Sequence, residues 1–376
     1  MIRYIINYLS SLQFTVLNLS LLFVVTVLGT LAQVQLGIYY ATELYFGSFF
    51  IFIPVFGINI PLLPGGFLIG VMMLINLIFA HYKRLNLSYK KLGIWLTHIG
   101  LILLLLGSGL THLFAVESRL KLSEGESVNY SYNIREVELV LIKQVSSTED
   151  EVISFTQDQI LSKQVLSHNS LPFDLTILDS SLNTELYVDP KLSYATTGFG
   201  KDIYFIKRKK ETQDDRKNIT SAYVSFINND QTLDTFLLSN AFKYTQYFTY
   251  NGTKYRVEIR QKRYYTPFYV KLIDFTHQKY PGTTIPHHYE SYVDVSYPTG
   301  ESTFKDRIYM NHPLRFDGKT YYQASFAEND TVSILQVVHN PGWLMPYISC
   351  LIMSLGLVIH FLFMLIDYSK RIKLKG

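Results

Sequence analysis

The chain has 376 residues, 48% of them hydrophobic, and 34 basic against 30 acidic side chains leave a formal net charge of +4. That charge is too small and too scattered for a nucleic-acid surface, and a single cysteine, Cys350, excludes an internal disulfide, a CxxC thiol pair and the CxxCH motif of a c-type cytochrome. The mean hydropathy of +0.13 hides a mixture of two very apolar ends and a polar middle. In chain order, the first apolar run is Phe14 to Gln33, behind Arg3 and a short polar stretch. It is too long for a signal-peptide core and no small-x-small cleavage site follows, which predicts an uncleaved span. Glu43 to Lys83 holds no formal charge between its ends and is broken by Pro54, Pro61, Pro64, Gly65 and Gly66. The second span is therefore expected from Leu62 to about His81, with Phe46 to Ile60 as an aromatic segment at the outer interface.

Leu92 to Val116, LGIWLTHIGLILLLLGSGLTHLFAV, is the third span and the stretch around which the chain is organised. About 20 apolar residues suffice to cross a bilayer as a helix. Gly93, Gly100 and Gly107 recur at seven-residue intervals and predict a smooth face for close approach by another helix. His98 lies on a different face; His112 is about 40° from it around the helix and about 21 Å further along. The fourth span is expected at 343–366. Lys83, Arg84, Lys90 and Lys91 crowd the 81–91 loop, and Lys370, Arg371, Lys373 and Lys375 the tail, whereas Val34 to Pro61 has no Lys or Arg. By the positive-inside rule the N-terminus, that loop and the tail are cytoplasmic.

Between the third and fourth spans lie short alternating runs: VELVLIK, FDLTILDS, AYVSFI, YRVEIRQ, SYVDVSY and TVSILQVV. Turn signals separate them at Asn251-Gly252, Pro281-Gly282, Pro298-Thr299-Gly300 and Asp317-Gly318. Period-two alternation at this spacing predicts an antiparallel sandwich or open barrel. KRKKETQDDRKN (207–218) is a solvated loop or hairpin tip. The expected fold is thus membrane α plus β, with four transmembrane helices and a large extracytoplasmic antiparallel β domain inserted between helices three and four. The expected parts are 1–116, three spans; 117–342, the β-rich domain; and 343–376, the fourth span with a basic cytoplasmic tail.

The chain shows no Gly-rich phosphate loop, HExxH helix or GxSxG elbow. His168, His277, His287 and His288 read as surface residues, the last two pointing opposite ways along a strand; His312 and His339 read as structural, and His81 as interfacial. An imidazole inside a membrane needs a hydrogen bond, a metal or a cofactor. His98, six residues after Leu92, and His360, six residues before Ile366, both fall about 9 Å from the cytoplasmic edge. Three readings stay open: the two are a haem ligand pair, each ligates together with a histidine of another subunit, or they hydrogen-bond across the bundle. His112 is a further candidate on the His98 face.

Several stretches together resemble the ResB/CcsB family of cytochrome c biogenesis proteins, the smaller half of the system II cytochrome c synthase. They are GTLAQ (29–33), LGIWLTHIGLILLLLGS (92–108), DFTHQKYPGT (274–283), IYMNHPLRFDGKTYYQASF (308–326) and HNPGW (339–343). The resemblance implies a subunit that carries haem b across the membrane with a ResC/CcsA-type partner and supports its covalent attachment to the CxxCH of apocytochrome c. It implies that His98 is an axial ligand to the haem iron, paired with a histidine of the partner, and implies nothing of the kind for His360. Trp95 and Trp343 are the chain's two tryptophans, so the tryptophan-rich attachment segment is absent and activity in isolation is not expected. The implied location is the bacterial cytoplasmic (inner) membrane, or alternatively the plastid thylakoid, with the large domain on the periplasmic or outer side. The rival expectation is a membrane-anchored scaffold or binding module without haem of its own.

Overall fold

A computed structural model describes residues 2–55, 57–84, 88–147, 149–229, 231–283, 286–298, 302–327 and 331–373. Lys375, the Thr299-Gly300 turn and part of the 81–91 loop fall outside them. The chain divides into two compact units, Met1–Val116 with His339–Gly376, and Glu117–Val338.

The first unit is helical. Its four long helices are Leu12–Ala41, Gly66–Arg84, Leu92–Phe114 and Met345–Lys373, each long and apolar enough to cross a membrane. The first span is longer than its expected 14–33. Ser11 caps it by accepting a bond from the Phe14 N–H, and it bends at Gly37, whose φ of 76° only glycine adopts without strain. A short π-helix, Thr42–Gly47, follows and folds Tyr45 and Phe46 back onto Gly29, where a Cβ would meet Phe46 Cε2 at 2.9 Å.

The second span begins later than Leu62. Phe50–Val55 and Ile58–Pro64 form an antiparallel hairpin, and the helix starts at Gly66. The aromatic segment expected at 46–60 is thus mostly strand, because Phe and Ile alternate there and prolines forbid helix continuation. Ile51 of the hairpin packs with Val25 and Ile69 in a small core.

The third and fourth spans pack through the glycine stripe, as expected. A Cβ on Gly93 would lie 2.5 Å from the Gly356 carbonyl oxygen and the His360 nitrogen, and one on Gly100 2.8 Å from the Ser349 carbonyl. Cys350 is exposed. It follows Ser349 by one residue, about 100° around the helix from the side that meets the glycines.

The second unit is β-rich and antiparallel. Two long strands, Ser127–Gln144 and Thr253–Lys279, pair along most of their length and carry two cores. At one end Leu139, Leu141, Val257 and Ile259 pack against a second sheet built from Asp174–Ser181, Ser221–Asn228 and Gln231–Ser239. Phe226 stacks on Phe248 there at 4.1 Å, with Phe173 edge-on to both. At the other end Phe268, Val270 and Leu272 share a core with Val293, Ile308, Leu335 and Val337. The strands around that core form an extended sheet whose one edge, Ser302–Tyr309, comes into contact with the two strands at the other edge, Lys319–Ala327 and Leu314–Phe316, so the sheet curls on itself. One half is therefore sandwich and the other open barrel. Asn251 and Gly252 both have positive φ, 47° and 79°, as the two-residue hairpin turn between Gln246–Tyr250 and Thr253–Lys279 requires.

Candidate functional site

Among the membrane histidines, the structure brings together a pair the sequence reading did not join. His98 and His81 have ring centroids 5.5 Å apart, and the His81 ring stands edge-on to Trp95 at 3.8 Å. Trp95 and His98 are three residues apart on one helix and so share a face. His81 comes from the antiparallel neighbour Gly66–Arg84. Expected at the interface, it is instead buried, with 8% of its surface exposed. Its position near charged Lys83 and Arg84 concealed this; the usable signal was its place near the C-terminal end of one span, opposite the start of the next.

The His98 Nδ1 lies 2.8 Å from the Ile94 carbonyl oxygen one turn back. A carbonyl only accepts, so Nδ1 carries the proton and Nε2 keeps the lone pair. Such an imidazole is oriented to donate that lone pair to a metal. The two ring nitrogens of His81 and the Trp95 Nε1 are buried without a hydrogen-bond partner among the described residues.

The surrounding polar network holds this end of the bundle together. Asn76, five residues before His81, donates from Nδ2 to the Leu9 carbonyl at 2.6 Å and accepts on Oδ1 from the Thr15 hydroxyl at 2.7 Å. That ties the short N-terminal helix Ile2–Leu9 and the first span to the helix bearing His81. Lys83 Nζ donates to Asn7 Oδ1 on the same short helix.

The other candidates lie apart from this cluster. His360 sits on the glycine side, its nitrogen and Cβ against Gly93. The equal depth expected for His98 and His360 is not observed: His360 lies level with Gly93, five residues and about 7.5 Å along the third span from His98, and on a different side of that helix. His112 is near the opposite end, 5.2 Å from the Phe67 ring and beside Gly47. Both His98 and His112 therefore face the second span, as the single histidine face implied. Among the described residues no group of three or more His, Cys, Asp or Glu forms a metal site.

In the β unit, His287 and His288 diverge, one edge-on to Tyr280 and the other beside Tyr309 and Glu290. His312 stacks on Tyr309 at 4.6 Å, its Nδ1 donating to the Arg307 carbonyl. His277, expected on the surface, is half-buried against Phe326 at 4.2 Å. The 207–218 segment is a loop, as expected, pinned by Asn218 Nδ2 donating to the Glu211 carbonyl at 2.8 Å.

Comparison with known proteins points in one direction. Residues 238–334 match the ResB-like family, a segment wholly inside the β unit. The chain is also 23% identical over 293 residues to Protein NrfI of Wolinella succinogenes, a match covering 77% of this chain and 29% of that protein. The family segment includes the whole of DFTHQKYPGT and IYMNHPLRFDGKTYYQASF, and it does not include the membrane helices. These two likenesses bear out the resemblance drawn from the sequence: this chain carries a ResB-like segment over residues 238–334.

Proposed function

We propose that the protein is a membrane subunit of a cytochrome c maturation machinery, carrying haem b across the membrane with a ResC/CcsA-type partner and supporting its attachment to apocytochrome c. The observation that carries this reading is the pairing of a ResB-like β segment with an in-membrane imidazole, His98, whose lone-pair nitrogen is set by its bond to Ile94. Haem is the cargo, and its iron takes nitrogen ligands at two axial positions. His98 fits one of them: its tautomer leaves Nε2 for the iron, while its helix shields the site with apolar side chains. The second axial ligand comes from the partner.

In this reading the β unit lies on the periplasmic or outer side of a bacterial inner membrane, inserted between the third and fourth spans. The cationic loop 81–91 keeps the opposite ends cytoplasmic. The β unit braces the partner or holds the apocytochrome near the point of attachment.

The test is the absorption spectrum of the full chain co-purified with its partner, wild type against His98→Ala. A low-spin haem spectrum that weakens in the variant supports the reading. An intact complex without haem in either sample, with cytochrome c maturation unchanged in the variant, overturns it in favour of a scaffold without haem.

A further inference from the structure

We infer that His81 is a second nitrogen donor to the iron-porphyrin, and that His81 and His98 take the iron in turn. The inference rests on the haem reading above and adds a residue to its site. Burying an imidazole with neither nitrogen bonded is unfavourable, and a ring that served only to fill space would be better replaced by an apolar one. His81 is buried in this way, with Trp95 packed edge-on against it and His98 beside it. No bond between the two imidazoles satisfies it, since its nitrogens lack partners and the rings are tilted by 45°.

The donor set names the ligand class. The cluster offers two imidazoles, and among the described residues it has no third metal-ligating side chain. A bare transition-metal ion asks for about four ligands and would be poorly held here. A porphyrin supplies the equatorial nitrogens itself, so one imidazole at a time is enough. Simultaneous ligation is opposed by Trp95: axial ligands stand on opposite faces of the macrocycle, and a porphyrin between the two rings would displace the indole that touches His81.

The order follows from depth. His81 lies three residues from Arg84, the end of its helix, whereas His98 lies six residues from Leu92, the start of its own. His81 is thus closer to the cytoplasmic edge and meets an incoming porphyrin first. In the exchange its Fe–N bond breaks as the bond to His98 Nε2 forms. The iron keeps its oxidation state, and the His98 proton stays on Nδ1, donated to the Ile94 carbonyl, so no further reactant is needed.

The test uses the full chain co-purified with its partner and loaded with haemin, as wild type, His81→Phe, His98→Ala and the double variant. Phenylalanine keeps a ring against Trp95 and removes both nitrogens. The expected result is an unchanged or raised Tm for His81→Phe, a weakened Soret band in His98→Ala, and loss of that remaining band in the double variant. Added imidazole should restore a low-spin spectrum to the double variant. The proposal is overturned if His98→Ala alone loses as much haem as the double variant, or if His81→Phe lowers Tm, which would make the nitrogens structural. Absence of haem from the wild-type complex would instead sink the haem reading itself.

Discussion

At the scale of single residues, a buried charge in the β unit is compensated by the groups around it. Arg260 and Glu138 are the strongest case in the β unit: their side chains are 9% and 8% exposed and bond at 2.9 Å across neighbouring strands. Arg260 also donates to the Tyr265 hydroxyl at 3.1 Å, and Glu138 accepts from the Arg263 N–H at 3.3 Å. Burial disfavours the charged form of Arg260, but the carboxylate beside it more than offsets this and raises its pKa. Removing one partner of such a pair leaves an uncompensated charge and costs about 3–5 kcal/mol. Arg260→Met is therefore expected to lower the unfolding temperature of the β unit by about 10 °C. Arg260→Met with Glu138→Met should recover most of that loss; thermal scans of the full chain in detergent would measure both. An equal loss in the double variant would show that packing, not charge, dominates the site.

Among elements, the third span has two faces that meet different neighbours. Its glycine face lets backbone approach backbone, and its histidine face meets the second span. At Gly93 the nearest atoms to an added methyl are the Gly356 oxygen and the His360 nitrogen, both backbone and both 2.5 Å away. Neither can rotate aside, so the helices must separate. At Gly109 an added Cβ meets nothing within 4 Å. Gly93→Ala should thus cost about 1–3 kcal/mol through overpacking, whereas Gly109→Ala should leave the melting temperature unchanged. If both variants melt alike, the close approach at Gly93 does not hold the two helices. The seven-residue spacing made this face legible without coordinates. His81 was not legible, because a histidine beside Lys83 and Arg84 reads as interfacial until the antiparallel packing of 66–84 on 92–114 turns it inward.

For the whole molecule, the orientation expected from the distribution of cations can be tested by labelling. In a Cys350→Ser background, Lys209→Cys in the loop after the strand Ile203–Lys207 should react with a membrane-impermeant maleimide in right-side-out vesicles. Lys90→Cys should react only after permeabilisation. Labelling in the reverse pattern would invert the orientation of the β unit. Either result is independent of whether haem is bound.

The sequence by itself determined the number and order of the spans, the glycine face, the antiparallel character of the middle segment and the ResB likeness. Each of these depends on local pattern: hydrophobic length, helical or strand period, turn chemistry and short motifs. Tertiary structure decided what depends on which helix lies beside which. It turned 46–60 largely into a hairpin, began the second helix at Gly66 and left Cys350 exposed. It also put His360 on the glycine side of the third span and brought His81 to His98. A period along the chain shows that a residue lies on a face; only packing shows what that face meets.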